Sequence, residues 1–460
     1  MSHKMVIIGG GPGGYVAAIR AAQLDNEVTL IERDELGGTC LNRGCISTKV
    51  MIESANAFWE AKNIHTFGIH VAEVTVDFPA VIKLKERRVT QLVNGVHYLM
   101  KKNKVRVVKG VGSIIDPKTV KIMESDEKIK ADTIIIATGS SPSSIPLKGI
   151  VNEDFIDSNE ALQMRQLPGS ILIIGGGVIG IEFGQILHRM GVKVTVIEMM
   201  SRILPAEDAE LALILEGILR NEGIEIFADA TVKKIKSAKS GGKAVSFTTK
   251  HGDREKVVDK VLVAVGRSPE TRHLGLEKLG INLDKKFIVV NEKMQTNISG
   301  IYAVGDVVGG IMLAHLASAE GKCAVENANG ADAHIDYQAV PRCAYTSPEI
   351  ACVGLTEAEA REKHGSNVII GRFPLAGNSK SIILGETTGL VKVVAEDKYG
   401  EVLGLGIIAP HATELIGEGV LGIYLEATFK DFASAIRAHP TVSEAVMEAA
   451  LNVEGRAIHI

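Results

Sequence analysis

The sequence predicts an α/β fold built on two doubly wound parallel-sheet units, and three observations predict it. A strand-forming run enters a glycine-rich turn twice, at Met5-Val6-Ile7-Ile8-Gly9 and at Ile171-Leu172-Ile173-Ile174-Gly175. In each copy an acid closes the next apolar run 23 residues after the first glycine: Glu32 follows Val28-Thr29-Leu30-Ile31, and Glu198 follows Val194-Thr195-Val196-Ile197. The 460 residues, with 48 glycines and 46% hydrophobic positions, suit a large core of Val/Ile-rich parallel strands joined by tight turns.

The first unit runs Gly9-Gly10-Gly11-Pro12-Gly13-Gly14 into an Ala-rich helix. This is the G-x-G-x-x-G arrangement of a Rossmann-type dinucleotide site. Gly9 permits the tight turn, Gly11 lets the backbone approach a pyrophosphate, and Gly14 lets helix lie on strand. The helix N-terminus faces the phosphates and Glu32 accepts hydrogen bonds from a ribose. Gly175, Gly177, Gly180 and Glu198 repeat the pattern. One such fingerprint is weak evidence. Two copies at one spacing imply two dinucleotides held near each other.

Eight residues past Glu32 comes Cys40, in Gly37-Gly38-Thr39-Cys40-Leu41-Asn42-Arg43-Gly44-Cys45. An isolated pair of this spacing is usually two unrelated cysteines, but here it adjoins a nucleotide site, and a redox-active disulfide is expected. Five residues of α-helix rise roughly 7.5 Å, whereas bridged cysteines need Cα atoms closer than about 7 Å. A regular helix therefore cannot hold the bond. Gly44 and the loop before Cys40 must let the first cysteine curl back over a helix start carrying Cys45. Cys323, Cys343 and Cys352 have no partner motif and are expected as buried apolar fillers.

Composition narrows the remaining classes. A net charge of −4 gives no broad basic footprint, which argues against a nucleic acid partner. No apolar run reaches about 18 residues, which argues against a membrane partner. The first strand begins at Met5, so no signal or transit peptide is expected. Five cysteines in a leaderless chain suit a reducing, cytoplasmic compartment, where disulfides are catalytic and transient.

Further along, residues 105 to 135 alternate as short strands with turns, and Ile134-Ile135-Ile136-Ala137-Thr138-Gly139 closes the first unit. The second unit ends near Val263-Ala264-Val265-Gly266-Arg267. Ile301-Tyr302-Ala303-Val304-Gly305-Asp306 reads as a buried strand whose exit presents an acid to a polyol chain, with a helix N-cap as the bland alternative for Asp306. From about 337 the pattern changes to alternating strands and two helices, Thr413 to Ala427 and Ser443 to Leu451. That segment carries His439-Pro440-Thr441-Val442-Ser443-Glu444. Pro440 keeps His439 extended and outside the helix, Thr441 or Ser443 can cap that helix, and Glu444 can fix the imidazole tautomer for a general base acting on thiols.

With these motifs in hand, the chain resembles the flavin-dependent pyridine nucleotide-disulfide oxidoreductases over essentially its whole length. The resemblance rests on Gly10 through Leu24, the cysteine segment, Gly177-Val178-Ile179-Gly180-Ile181-Glu182-Phe183, Tyr345-Thr346-Ser347-Pro348-Glu349 and the His439 motif. It implies four domains: FAD-binding over 1–145, NAD-binding over 146–267, central over 268–336, and a C-terminal α+β dimerisation domain over 337–460. The implied assembly is an obligate homodimer.

The resemblance also implies roles. Cys40 would meet substrate and Cys45 would face the flavin. Lys49, one turn on from Cys45, would reach the flavin and pair with Glu182, whose bland role is a favourable charge near a helix start. Gly38, Thr39, Gly112, Thr138, Gly139, Asp306, Met312, Leu313, Ala314 and His315 match FAD contacts; Glu198, Val232 and Gly266 match NAD contacts. No metal is expected. Ser47 departs from the family's usual proline, freeing the backbone and placing a hydroxyl near the thiolate.

Within the family, the chain looks like the branch that oxidises protein-bound dihydrolipoyl groups, and that resemblance implies as partner a lipoylated carrier or acyltransferase of a 2-oxoacid dehydrogenase or glycine cleavage complex. Two alternatives stay inside the family. A glutathione-type reductase would want a cation rather than Glu198 at the ribose, and a mercuric reductase would add C-terminal thiols. A third is a flavoprotein scaffold without turnover.

Overall fold

The computed structural model describes residues 3–144, 155–239 and 241–460. The expected boundary between the first two units, at 145–146, lies outside the described residues.

The first unit is a five-stranded parallel sheet in the order Ile301–Ala303, Thr133–Ile136, β1 (Lys4–Ile8), β2 (Glu27–Glu32) and Arg106–Lys109. Its centre is apolar on both faces, as helices on each side require: Met5, Ile7, Ile134, Ile135 and Ile136 are fully buried. Between β1 and β2 runs α1 (Pro12–Gln23), with Pro12 in its first turn, where a missing N–H costs nothing. The strand Ile301–Ala303 returns to this sheet from the distant part of the chain, so the segment after the second unit completes the first.

The second unit repeats the plan with four parallel strands, Glu225–Phe227, Lys193–Ile197, Ser170–Ile174 and Lys260–Val263. Helix Val178–Arg189 follows the glycine turn. Both turns need glycine for measurable reasons. Gly9 and Gly175 have φ of +108° and +112°. A Cβ on Gly14 would lie 1.8 Å from the Gly9 carbonyl oxygen, and one on Gly180 would lie 2.0 Å from that of Gly175. Neither overlap is survivable without opening the turn.

The C-terminal region is a five-stranded antiparallel sheet, Arg342–Ala344, Glu349–Gly354, Val402–Ala409, Leu390–Glu396 and Val368–Pro374, covered by helices Ala412–Tyr424 and Glu444–Asn452. Two helices were expected; three shorter ones accompany them, Glu357–His364, Ser379–Leu384 and Phe429–Ser434. They lack an apolar stripe long enough to read from sequence. Their starts are instead fixed by side-chain caps from Thr356 with Glu359, from Asn378, and from Thr428 with Asp431.

No helix of the described residues is long and apolar enough to cross a membrane.

Candidate active site

One elongated cavity of about 1430 Å³ runs from the first glycine turn to the second. Gly9, Gly11, Glu32, Gly112, Thr138 and Gly139 line one part of it, and Gly175, Gly177, Glu198, Val232 and Gly266 another. Asp306 and the run Met312 to His315 lie along the same wall, as do Gly38 and Thr39. Gly14 and Gly180 do not line it; they sit beneath the turns, holding helix to strand.

The cysteines lie in this cavity. The segment before Cys40 is a short helix, α2 (Gly38–Arg43), rather than the expected loop. Gly37 and Gly38, with φ of +89° and +56°, turn the chain into it, and a Cβ on Gly38 would meet the Gly11 Cα at 2.6 Å. The thiol segment is thus seated on the first phosphate turn. Cys45 opens the next helix, α3 (Cys45–Asn63).

Gly44 separates the two helices, and its Cβ would come within 2.9 Å of the Thr39 carbonyl oxygen and 3.4 Å of the Cys40 Cα. That close approach, which only glycine permits, lets Cys40 fold back onto Cys45. Both are thiols in this structure.

The two sulfurs are electrostatically unequal. The hydrogen bond from the Cys40 thiol is the largest influence on Cys45; burial opposes it, the Lys49 ammonium assists it, and Cys45 is held down to about 7. Cys40 is pushed well above the ordinary thiol range by that same hydrogen bond, by burial and by the Cys45 charge. Cys45 is therefore the thiolate of the pair and Cys40 the thiol.

Lys49 lies one turn along α3, and its Nζ is 2.9 Å from both carboxylate oxygens of Glu182, on helix Val178–Arg189. The buried carboxylate also accepts the Tyr345 backbone N–H at 2.9 Å, and the Lys49 ammonium stands 4.2 Å from the centre of the Tyr345 ring. Nearby, Arg189 ties the same two helices together through Asn56 at 2.7 Å, and also holds Glu222, at the end of helix Ala209–Glu222, at 2.6 Å. Glu182 is thus far more than a favourable charge near a helix start.

Asp306 is not a helix N-cap. It sits inside the single 3₁₀ turn Gly305–Val308, bonded to the Ser140 hydroxyl, with the Arg267 Nε 3.7 Å away. Sequence reasoning missed several charged lining residues, namely Arg33, Arg267, Glu270 and Arg272. Glu270 is buried, accepts the Ser141 hydroxyl at 2.6 Å and pairs with Arg33 at 3.2 Å. Only Arg267 was signalled, by its place directly after Gly266. Cys343 was expected to be a buried filler; it is only partly buried and lines the cavity, and burial pushes its thiol up to about 12. Cys323 and Cys352 are buried.

His439 and Glu444 do not line this cavity. They form their own pair, His439 Nδ1 to Glu444 Oε1 at 2.9 Å, with the imidazole exposed. The His439-Pro440 bond is cis. Neither Thr441 nor Ser443 caps the helix through its side chain. Ser443 already has helical dihedrals, and the Glu444 carboxylate instead takes the Thr441 N–H at 2.9 Å. Burial works to raise the Glu444 carboxyl, but the Thr441 N–H and the His439 ring outweigh it and hold it below its ordinary value.

A Cβ at Gly139, Gly177 or Gly266 would meet no protein atom within 4 Å, so at these lining positions bare backbone faces the cavity where a phosphate or ring must come close. Glu32 and Glu198 each stand at a strand end on the cavity wall.

Two nucleotide cradles and an unequal thiol pair in one cavity define a two-nucleotide thiol oxidoreductase. The chain belongs to the pyridine nucleotide-disulphide oxidoreductase family, which matches over residues 3–321, with that family's dimerisation domain over 340–450. It is 43% identical over 470 aligned positions to a dihydrolipoyl dehydrogenase of Bacillus subtilis, covering 99% of each chain. It is 41% identical to the mitochondrial dihydrolipoyl dehydrogenase 2 of Arabidopsis thaliana, covering 100% of this chain and 92% of that one. Among solved structures it resembles LpdA from Mycobacterium tuberculosis, with a TM-score of 0.90 at 28% identity over 98% of this chain and 99% of that one. FAD and NAD are the cofactors of this family, and the residues lining the two cradles fit them.

Proposed function

We propose that this protein is a dihydrolipoyl dehydrogenase, oxidising a carrier-bound dihydrolipoyl group and delivering the electrons to NAD. The observation that carries the reading is the inequality of Cys40 and Cys45 beside the Lys49–Glu182 pair. In the oxidised enzyme the two sulfurs form a disulfide. The partner subunit's His439, oriented by its carboxylate, takes the proton from one substrate thiol, and the resulting thiolate attacks Cys40. A substrate–Cys40 bond forms as the Cys40–Cys45 bond breaks, and Cys45 leaves as the thiolate that Lys49 stabilises. The second substrate thiol then displaces Cys40, giving the cyclic disulfide product and a Cys40 thiol. FAD, when bound, supplies the passage of two electrons from the thiol pair to NAD⁺ as a hydride, with one proton released.

In this reading FAD is held by the Gly9, Gly11 and Gly14 turn, Glu32, Gly38, Thr39, Gly112, Thr138, Gly139, Asp306 and Met312 to His315, and NAD by the Gly175, Gly177 and Gly180 turn, Glu198, Val232 and Gly266. The four domains divide near 145, 267 and 336. The protein works in the cytoplasm as a homodimer serving a lipoylated carrier or acyltransferase. The separation of His439 from the cavity of its own chain supports a shared site.

Steady-state assay of holoenzyme with dihydrolipoamide and NAD⁺ tests the activity; turnover of glutathione disulfide with NADPH in its place would overturn it. The shared site is tested with mixed dimers of His439→Gln and Cys45→Ser subunits, formed by partial denaturation. Activity should return, because one of the two sites then pairs intact thiols with an intact base. Verified heterodimers with none would assign His439 to its own chain or to no catalytic role.

A further inference from the structure

Ser47 is fully buried in the first turn of α3, two residues past Cys45. Its hydroxyl donates to the Asn42 carbonyl at 3.0 Å. In an unbroken helix that carbonyl would accept the Ile46 N–H. The break at Gly44 ends α2 at Arg43 and begins α3 at Cys45, and the Ser47 hydroxyl takes the place of the missing donor.

The link continues beyond Asn42. The Asn42 amide donates to the Leu36 and Gly38 carbonyls at 3.1 and 2.9 Å, and Gly38 rests on Gly11. A chain of contacts therefore runs from the Cys45 helix, through the helix that carries Cys40, to the first phosphate turn. Among the described residues, Ser47 attaches it to α3 through a side-chain hydroxyl directed across the break, whereas the Thr48 hydroxyl turns back to Gly44 at 2.8 Å.

We propose that Ser47 is a positioning residue for the redox pair: by closing the Asn42 carbonyl across the Gly44 break, its hydroxyl fixes Cys40 against Cys45 and sets the balance between the two sulfurs. The inference rests on the dithiol-oxidising reading above. Its physical basis is twofold, and both parts act in one direction. The Cys40 hydrogen bond is the largest influence favouring ionised Cys45, and loosening α2 weakens it. Removing the hydroxyl also unmasks the negative end of the Asn42 carbonyl next to the pair. The other charged and titratable groups facing Cys45 are Lys49 on its own helix, Glu182 on the adjoining helix, Tyr345 just past the strand Arg342–Ala344, and Arg267.

The test uses holoenzyme reduced with one equivalent of dihydrolipoamide, following the long-wavelength absorbance of the thiolate beside oxidised flavin as a function of pH. Ser47→Ala should move the midpoint upward by about half a unit to one unit, a three- to tenfold loss of thiolate below the midpoint. Ser47→Pro, which has the residue usual in the family but no hydroxyl, should shift it the same way, and Ser47→Thr should leave it near the parent value.

A merely structural role would lower FAD content or Tm and leave the midpoint in place. Unshifted midpoints in Ser47→Ala and Ser47→Pro proteins that retain FAD would overturn the inference, as would restoration by proline alone, which would make backbone stiffness the agent. If the parent protein gives no such band and no dithiol turnover, the underlying reading fails instead.

Discussion

In the first nucleotide unit Glu32 accepts the Gly10 and Asp34 N–H groups at 2.6 and 2.7 Å; in the second Glu198 accepts those of Gly176 and Met200 at 2.6 and 2.7 Å. The chain then returns to the glycine turn in both: Gly37 N–H donates to the Gly10 carbonyl, and Leu204 N–H to that of Gly176, each at 2.8 Å. Three residues past that contact the units part. The first presents Cys40. The second presents Glu207, paired with Arg342 at 3.3 Å, and then Asp208, which holds the buried Lys392 at 2.8 Å. One scaffold delivers its outgoing segment to one place, and the residue found there decides the use. In the first unit it is chemistry, and in the second it is attachment to the C-terminal domain.

The comparison breaks most visibly at the thiols. Cys40→Ser and Cys45→Ser should each lower dithiol oxidation on the order of 10⁴-fold or more, as loss of a nucleophile does. They should differ in colour. Cys40→Ser leaves the Cys45 thiolate and should show the long-wavelength band without reductant, whereas Cys45→Ser should not; absorbance spectra with the band in the opposite variant would exchange the two roles.

A smaller effect separates the two acids. At about 4 Å a 2′-phosphate facing Glu198 meets roughly 4 kcal/mol of repulsion per charge pair at an effective dielectric of about 20, close to a thousandfold before screening. Arg202 lies near and its charge offsets part of this repulsion, although its Nη2 also donates to the Pro205 and Glu207 carbonyls at 3.0 and 3.1 Å. NAD should therefore be preferred over NADP in kcat/KM, and equal efficiencies would remove Glu198 from the ribose.

The attachment is next. Lys392 meets Asp208, Glu210 and Glu357 at 2.8, 2.6 and 3.2 Å with its side chain buried. Lys392→Ala leaves the buried Asp208 without its counter-charge, while Glu210 and Glu357 keep Arg372, and should destabilise the protein by about 3–5 kcal/mol, read by denaturant unfolding. A change within 0.5 kcal/mol or so, typical of surface positions, would mean that the second unit is not held there.

The mildest test is a titration of the reduced pair. Because Cys45 sits near 7 and Cys40 far above the ordinary thiol range, thiolate absorbance should rise by one group per chain around pH 7 and remain flat through pH 9. Two groups rising together would show that the sulfurs are equivalent.

Much of this was legible in the residues. The glycines of both turns and the closing acids are strict because sterics and backbone hydrogen bonds leave no substitute, and sequence shows such positions directly. The bend at Gly44 followed from helix geometry alone. Other features were not legible. Helix α2 is too short to have a period, and the caps of Glu357–His364 and Phe429–Ser434 carry no apolar signal. Glu270 and Arg33 meet across 237 residues, a contact that only the completed fold creates. Cys343 looked like a filler because nothing in its neighbours reveals that its strand edges the cavity.

The Lys49–Glu182 pair has a consequence for how such chains can be recombined. Its cation belongs to the first nucleotide unit and its carboxylate to the second, so the units are not interchangeable cassettes even though each carries a complete fingerprint. A chimaera that takes its second unit from a donor imports a buried anion whose counter-charge stays behind, unless the recipient helix offers a lysine at the same turn. Compatibility between modules is written in one lysine and one glutamate, 133 residues apart.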